Sequence, residues 1–299
     1  MAGSFVPGVV RGSLSLLIYV VNTVFWCIFL YTIALVKLIV PIPWFRRVCN
    51  RVLIAVSFSW IFCNNMNQNL FSRTPIIASG LEGLDKDGWY LVVSNHQTWV
   101  DILVLQRVFY HKIPFLKFFL KKELIWVPVL GFAWWALDFP FMKRYSKHKL
   151  LQKPHLKGKD LESTKKACEK FKHTPVSIMN FVEGTRFTPT QKKKQNNSFN
   201  HLLSPKASGI SFVLGAMGEY LHTIIDVTIV YPEKIPTFWE FISGRVKKII
   251  IDFEVIPLPG FLKGDYLNDA DYKKRIFFWL NELWLKKDQK IDALKTGRI

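Results

Sequence analysis

Two short stretches of this chain carry side chains that could do chemistry together. Asn95-His96-Gln97-Thr98-Trp99-Val100-Asp101 sets a carboxylate five residues after a histidine, and Glu183-Gly184-Thr185-Arg186 begins 82 residues after that Asp. Neutral imidazole is the side chain best suited to accept a proton near pH 7. A carboxylate on its other nitrogen fixes the tautomer and favours the imidazolium that forms as the proton moves. A hydroxyl that attacks a thioester must lose such a proton as the C–O bond forms. His96 is therefore a candidate base and Asp101 its partner. Arg186 offers a planar fork of donors that matches phosphate oxygens, and Glu183 is a candidate acceptor for a substrate hydroxyl. Gly184 lets the backbone turn with positive φ or approach a ligand closely. Together these residue types suit acyl transfer to an alcohol that carries a phosphate.

The pair can meet only if the backbone changes direction between them. On a continuous helix five positions lie about 140° apart. Trp89 to Val93 reads as a buried strand, and Thr98 onward reads as the opening of a helix. His96 then sits on a strand-to-helix turn, with Asp101 one turn into the helix. Glu183 follows the apolar strand Val176 to Val182 and projects from its carboxyl end, the edge where open α/β sheets bind ligands. The bland alternatives are a capped helix start with a satisfied histidine, and a Glu183–Arg186 ion pair in a surface turn.

Other chemistries find less support. No Gly-x-Ser-x-Gly occurs, so there is no nucleophile elbow. Cys27, Cys49, Cys63 and Cys168 make no C-x-x-C pair, and there is no His-Glu-x-x-His, so no metal site is expected and buried free thiols are the simplest reading. His111, His148, His155, His173, His201 and His222 show no partner spacing. A thioester donor is already activated, so direct attack needs no covalent intermediate.

The Asn-His-x-x-x-x-Asp stretch combined with Phe181-Val182-Glu183-Gly184-Thr185-Arg186 resembles the signature of the glycerolipid acyltransferases, the group that includes bacterial 1-acyl-glycerol-3-phosphate acyltransferase. The similarity covers most of the chain after residue 80 and is closest to the bacterial inner-membrane branch related to lysocardiolipin acyltransferases. It implies that His96 is the general base, Asp101 its partner, and Glu183, Gly184, Thr185 and Arg186 the acceptor-binding element. Phe141-Met142-Lys143-Arg144 is similar to a Phe-x-x-Arg block whose arginine helps bind phosphate, which adds Arg144 to the candidates. Pro205-Lys206 and Val227 to Pro232 loosely match the last motif block. The resemblance further implies a lysophospholipid acceptor and acyl-CoA or acyl carrier protein as co-substrate, with no other cofactor.

Composition bounds where such a site operates. Leu14 to Val36 is free of charge and long enough to cross a hydrocarbon core of ~30 Å. It is read as a transmembrane helix rather than a cleaved signal, and should stop near Pro41-Ile42-Pro43. Arg46, Arg47 and Arg51 follow it, against Arg11 alone before it, which puts the remainder in the cytoplasm and, in a bacterium, at the inner membrane. A hairpin dipping into one leaflet is the alternative. Val52 to Phe62 is too short to span, and reads as an interfacial helix beside the first or as a buried helix of the soluble part.

These patterns divide the chain into a membrane-anchoring helical region, 1–74, and an α/β domain, 75–299. Strands are predicted at Trp89 to Val93, Val176 to Val182, Ile224 to Tyr231 and Lys248 to Ile256. Helical patterns between them imply a mixed, mostly parallel sheet covered by helices. Thr190 to Ser198 lacks an apolar face and reads as a mobile loop. Ile276, Trp279, Leu280, Leu283 and Trp284 form a helical stripe that docks either on the core or on a membrane surface. Phe115 to Phe141 is crowded with aromatics that suit core packing, an acyl groove or the lipid interface. The net charge of +19 and the basic stretch Lys143 to Lys172 suit anionic lipid head groups or an acidic carrier protein. No recognised nucleic-acid motif is present, and nucleic acid is not expected as a partner. Hydrolysis by a thioesterase or lipase and a non-catalytic membrane adaptor remain the rival classes.

Overall fold

Residues 89–94, Trp-Tyr-Leu-Val-Val-Ser, are apolar at nearly every position, the pattern of a strand covered on both faces. They form an inner strand of the sheet in the computed structural model, which describes residues 7–142, 174–266 and 268–298, with Gln152, Glu162, Cys168 and Phe171 between the first two stretches. The strands are β1 (Ile76–Ser79), β2 (Trp89–Ser94), β3 (Leu116–Phe118), β4 (Leu120–Lys121), β5 (Phe141–Met142), β6 (Val176–Phe181), β7 (Thr223–Val230) and β8 (Ile249–Pro257). Six of them form one sheet in the order β1-β8-β7-β2-β6-β3, and β4 pairs with β5. The β7–β8 pair is antiparallel and the other pairs of the sheet are parallel. The mixed, mostly parallel sheet expected from sequence is therefore present.

Helices cover both faces. They are α1 (Gly8–Ile39), α2 (Pro43–Asn67), α3 (Val100–Val108), α4 (Leu130–Ala136), α5 (Pro189–Gln195), α6 (Ala207–Met217), α7 (Phe238–Ile242) and α8 (Ala270–Thr296). On one face α6 and α8 pack Ile210, Val213, Ile276, Leu280 and Trp284 against Leu91, Val93, Ile178 and Ile224. On the other, α3 and α7 pack Val100, Val104, Leu105 and Phe241 against Val92, Met179, Ile225 and Val227. Each such buried aliphatic side chain contributes ~1.5–3 kcal/mol relative to exposure, so the stripe of α8 docks on the core and not on a lipid surface. Lys287 on the same helix is fully buried, with its Nζ 2.8 Å from Asp226 Oδ1 and 2.7 Å from the carbonyl of Val227.

The N-terminal helices form an antiparallel hairpin. α1 ends at Ile39, where Pro41 and Pro43 forbid continuation, and Pro43 opens α2 at a position that needs no amide donor. The apolar run Val52 to Phe62 is the middle of α2, which extends well beyond it and packs beside α1. A polar seam joins them. Asn22 donates to Asn64 Oδ1 (2.8 Å) and to the carbonyl of Trp60 (3.1 Å), and Asn67 donates to the carbonyl of Ser15 (3.1 Å). Cross-helix amide bonds of this kind hold helices together where there is no water to compete.

Three elements differ from the sequence expectation. β1 and β3 are short edge strands without a resolvable alternation. Thr190 to Ser198 is not an irregular loop throughout: Pro189–Gln195 is helical, capped by the Thr188 hydroxyl, which accepts from the amide of Gln191 at 3.1 Å. Asn197 then ties the following turn to Gln195 Oε1 and Ser204 Oγ. Local side-chain capping replaces the apolar face that this helix lacks.

Candidate active site

The register of the sheet brings the two motifs level. Ser94 at the end of β2 lies opposite Phe181 at the end of β6. His96 and Glu183 each come two residues later, so both leave the sheet at its carboxyl edge, side by side. Asn95 fixes the exit of β2: its side chain donates to the carbonyl of Ile229 and accepts from the Ile229 amide, each at 2.9 Å. The Phe187 amide then donates to the carbonyl of His96 at 2.7 Å, tying the second motif to the first.

His96 and Asp101 touch. The Nδ1 of the imidazole lies 2.9 Å from Asp101 Oδ2. Asp101 is the second residue of α3, earlier in the helix than expected, and its side chain is fully buried. The amides of Gln97 (2.6 Å) and Thr98 (2.9 Å) also donate to Oδ2, while the hydroxyl of Tyr231 donates to Oδ1 at 2.7 Å. Four donors thus converge on one carboxylate and hold it in a single orientation. An acceptor at Nδ1 assigns the proton to that nitrogen and leaves the lone pair on Nε2. Among the described residues Nε2 has no partner, and the ring keeps 12% of its surface exposed. Burial and the neighbouring carboxylate push the Tyr231 phenol well above its ordinary value, which keeps it a donor. The imidazole also stacks on Phe181, with centroids 3.8 Å apart and planes at 13°.

Glu183 leaves the sheet at the carboxyl edge, as expected from sequence, and turns inward there. Its side chain is buried, and its oxygens accept the backbone amides of His96 (3.3 Å) and Leu203 (3.2 Å). It clasps the histidine turn to the loop before α6. Burial pushes its carboxyl up to about 8, against the lowering effect of those two amides. Gly184 turns the chain at φ 69°, a left-handed conformation that a side chain would strain. That turn puts Thr185 at half-exposed depth and Arg186 at the surface. The Arg186 guanidinium lies 4.6 Å from the ring centroid of Trp99, and among the described residues no carboxylate pairs with it. Glu183 and Arg186 therefore do not form a mutual ion pair.

Arg144 lies outside the described residues, as does nearly all of the basic stretch 143–172. All four cysteines are free, with Cys27, Cys49 and Cys168 buried. Among the described residues no three His, Cys, Asp or Glu side chains gather to hold a metal ion. Sequence reasoning missed the support of the site: Tyr231, Phe181, the Leu203 amide and the Asn95 clamp. Only Asn95 and Tyr231 had a visible cue, as polar atoms at the ends of apolar strands.

The family model described as Acyltransferase matches residues 75–231, more than half of the chain, and includes both motifs. Lysocardiolipin acyltransferase 1 of Gallus gallus is 22% identical over 267 residues, covering 85% of this chain and 65% of that protein. The 1-acyl-sn-glycerol-3-phosphate acyltransferase epsilon of Mus musculus is 24% identical over 221 residues, covering 67% of this chain and 56% of the relative. The chain thus spans under two thirds of the length of these relatives. The crystal structure of the 1-acyl-sn-glycerophosphate acyltransferase PlsC from Thermotoga maritima aligns over 92% of this chain and 97% of its own, with 17% identity and a TM-score of 0.48. By the span of the family match, the chain belongs to the Acyltransferase family.

Proposed function

We propose that the protein is a membrane-bound O-acyltransferase that moves a fatty acyl group from a thioester to the free hydroxyl of a lysophospholipid. The favoured acceptor is 1-acyl-glycerol-3-phosphate, and phosphatidic acid is the product. The observation that carries this reading is the His96–Asp101 contact, with Nε2 left free beside a turn that ends in an exposed arginine. Nε2 takes the proton of the acceptor hydroxyl as its oxygen bonds to the thioester carbonyl carbon. Asp101 stabilises the imidazolium so formed. Collapse of the tetrahedral intermediate breaks the C–S bond, and the departing sulfur takes the proton back from the imidazolium. No serine hydroxyl bonds to His96 among the described residues, which favours direct attack over a covalent intermediate.

In this reading Arg186, braced on Trp99, receives the acceptor phosphate, and Arg144 joins it. Thr185 and Gly184 shape the turn. Glu183 acts on the substrate indirectly, by holding the amide of His96. The donor is acyl-CoA or acyl carrier protein, with no further cofactor.

The hairpin supplies the membrane contact. α1 is long and apolar enough to cross a bilayer, yet it touches the α/β part near both ends. Tyr19 packs on Phe238 at 5.9 Å, while Lys37 pairs with Asp138 at 3.0 Å and Gly12 lies against Trp239. Gly12 to Lys37 covers ~38 Å of helix at 1.5 Å per residue, more than a ~30 Å hydrocarbon core. A helix that meets the catalytic part along such a length is better embedded in one leaflet than threaded through two. Arg46, Arg47 and Arg51 at the hairpin turn then favour the anionic cytoplasmic leaflet, in a bacterium that of the inner membrane.

The test is product analysis with a panel of lysolipids, offered with acyl-CoA and with acyl carrier protein. A diacyl phospholipid, formed fastest from 1-acyl-glycerol-3-phosphate, is expected. Free fatty acid as the main product would replace the transferase reading with hydrolysis. A different preferred lysolipid would keep the reaction and change the acceptor.

A further inference from the structure

The segment between β4 and β5 presents an apolar surface that the catalytic chemistry does not use. A 3-10 turn, Lys122–Trp126, leads into α4. One side of this lip is glued to the hairpin: Ala133, Leu137 and Phe139 share a buried cluster with Cys27, Leu30, Leu53 and Ile61. The other side is bare. Trp126 is 85% exposed, and Val129, Phe132 and Trp135 are also exposed. Exposed aromatics in such density mark a contact surface.

Two observations say what covers it. The bare side is continuous with the exposed apolar face of α1, because Phe132 packs on Tyr31 at 5.0 Å and the Tyr31 hydroxyl donates to the carbonyl of Val129. That α1 face includes Leu17, Val20, Val24 and Ile28. The lip also opens with exposed Lys121 and Lys122, beside the single exposed Glu123. Tryptophans at the edge of an apolar face with lysines beside them match the boundary between acyl chains and anionic head groups.

We propose that Lys122–Ala136 enters the head-group boundary of the leaflet that holds α1, as a second membrane contact of the catalytic part. The inference rests on the membrane reading of α1. Phe139 on the inner side of the lip stacks towards Phe118 (6.4 Å), Phe118 towards Phe181 (6.0 Å), and Phe181 carries the imidazole of His96. This row of rings couples the lip to the ring on which the base rests.

The test uses nitroxide labels on single cysteines placed at Trp126, Phe132, Val20 and Glu282, in a chain with its native cysteines replaced. The labelled protein is reconstituted in vesicles of neutral and anionic phospholipid, and collision with oxygen is compared with collision with a water-soluble nickel chelate. Labels at 126 and 132 are expected to favour oxygen, though less strongly than the deeper label at 20, while the label at 282 favours nickel. A 126 label that behaves like 282 while 20 is inserted overturns the lip and leaves the membrane reading standing. All four labels favouring nickel overturns both. Spin–spin broadening at 126 in detergent would assign the face to a second copy of the chain, and also overturns the proposal. A parallel measurement needs no substitutions: a phospholipid with a photoreactive carbene precursor in its acyl chain should mark the peptide containing Trp126, and absence of the mark there alongside marking of α1 counts against the lip.

Discussion

The two ends of the candidate site are built on opposite principles. Around His96 nearly every polar atom is committed before substrate arrives: Asp101 accepts four donors, Asn95 locks two backbone groups, and the ring lies on Phe181. Around Arg186 the guanidinium is exposed and touches one ring, itself 56% exposed. Proton transfer needs atoms fixed within tenths of an ångström, so that end is preorganised. Anion binding tolerates a flexible approach, because charge attracts over longer distances and the ligand supplies the missing partner. The contrast predicts that substitutions near His96 change kcat and those near Arg186 change KM.

The largest effect belongs to His96→Ala, which should lower kcat by about 10² to 10⁴ while leaving the KM for the acceptor nearly unchanged. Wild-type turnover in a folded variant would erase the distinction between the two ends. Arg186→Ala should raise KM for phosphate-bearing acceptors roughly 10- to 100-fold, as a charge-assisted hydrogen bond is worth about 1.5–3 kcal/mol. Equal losses on a neutral acceptor would show that Arg186 does not meet the phosphate. Tyr231→Phe removes one of four donors from Asp101 and should cost about 1 kcal/mol, roughly fivefold in kcat, with KM unmoved. A change in KM alone would place Tyr231 at the acceptor end.

The last effect is on stability and not on rate. Burial raises the Glu183 carboxyl from 4.5 to about 8, so the folded state binds its proton more tightly than the unfolded chain does. Its contribution is fully present below the unfolded value and is lost as pH rises through the folded one. Denaturation of wild type and Glu183→Gln across pH 5 to 9 should show the wild type losing stability relative to the variant as pH increases. Parallel curves would mean that Glu183 stays ionised throughout.

The same contrast explains what could be read from sequence. His96 and Asp101 are five residues apart, and a strand-to-helix turn suffices to join them, so local pattern revealed the contact. Four strands were legible because each is a run rich in β-branched and aromatic residues. Their order was not, since nothing in Ile249–Pro257 distinguishes the antiparallel partner of β7 from another parallel strand. Tyr231 lies 130 residues from the carboxylate it supports, and the Leu203 amide has no sequence identity at all. The backbone contacts of Glu183 were hidden for a related reason. A carboxylate after a strand reads as a ligand group, and only the fold shows that it also holds two backbone amides. The helix Pro189–Gln195 escaped notice because capping, not an apolar face, holds it.

The central claim is that His96 and Asp101 act as one proton-transfer unit, and the most direct test is kcat for His96→Ala, Asp101→Ala and the double variant on 1-acyl-glycerol-3-phosphate with acyl-CoA. If they form a unit, the double variant is hardly slower than His96→Ala alone, because Asp101 has nothing left to orient. If the two losses multiply, the residues act independently, and the base assignment built on their contact is wrong.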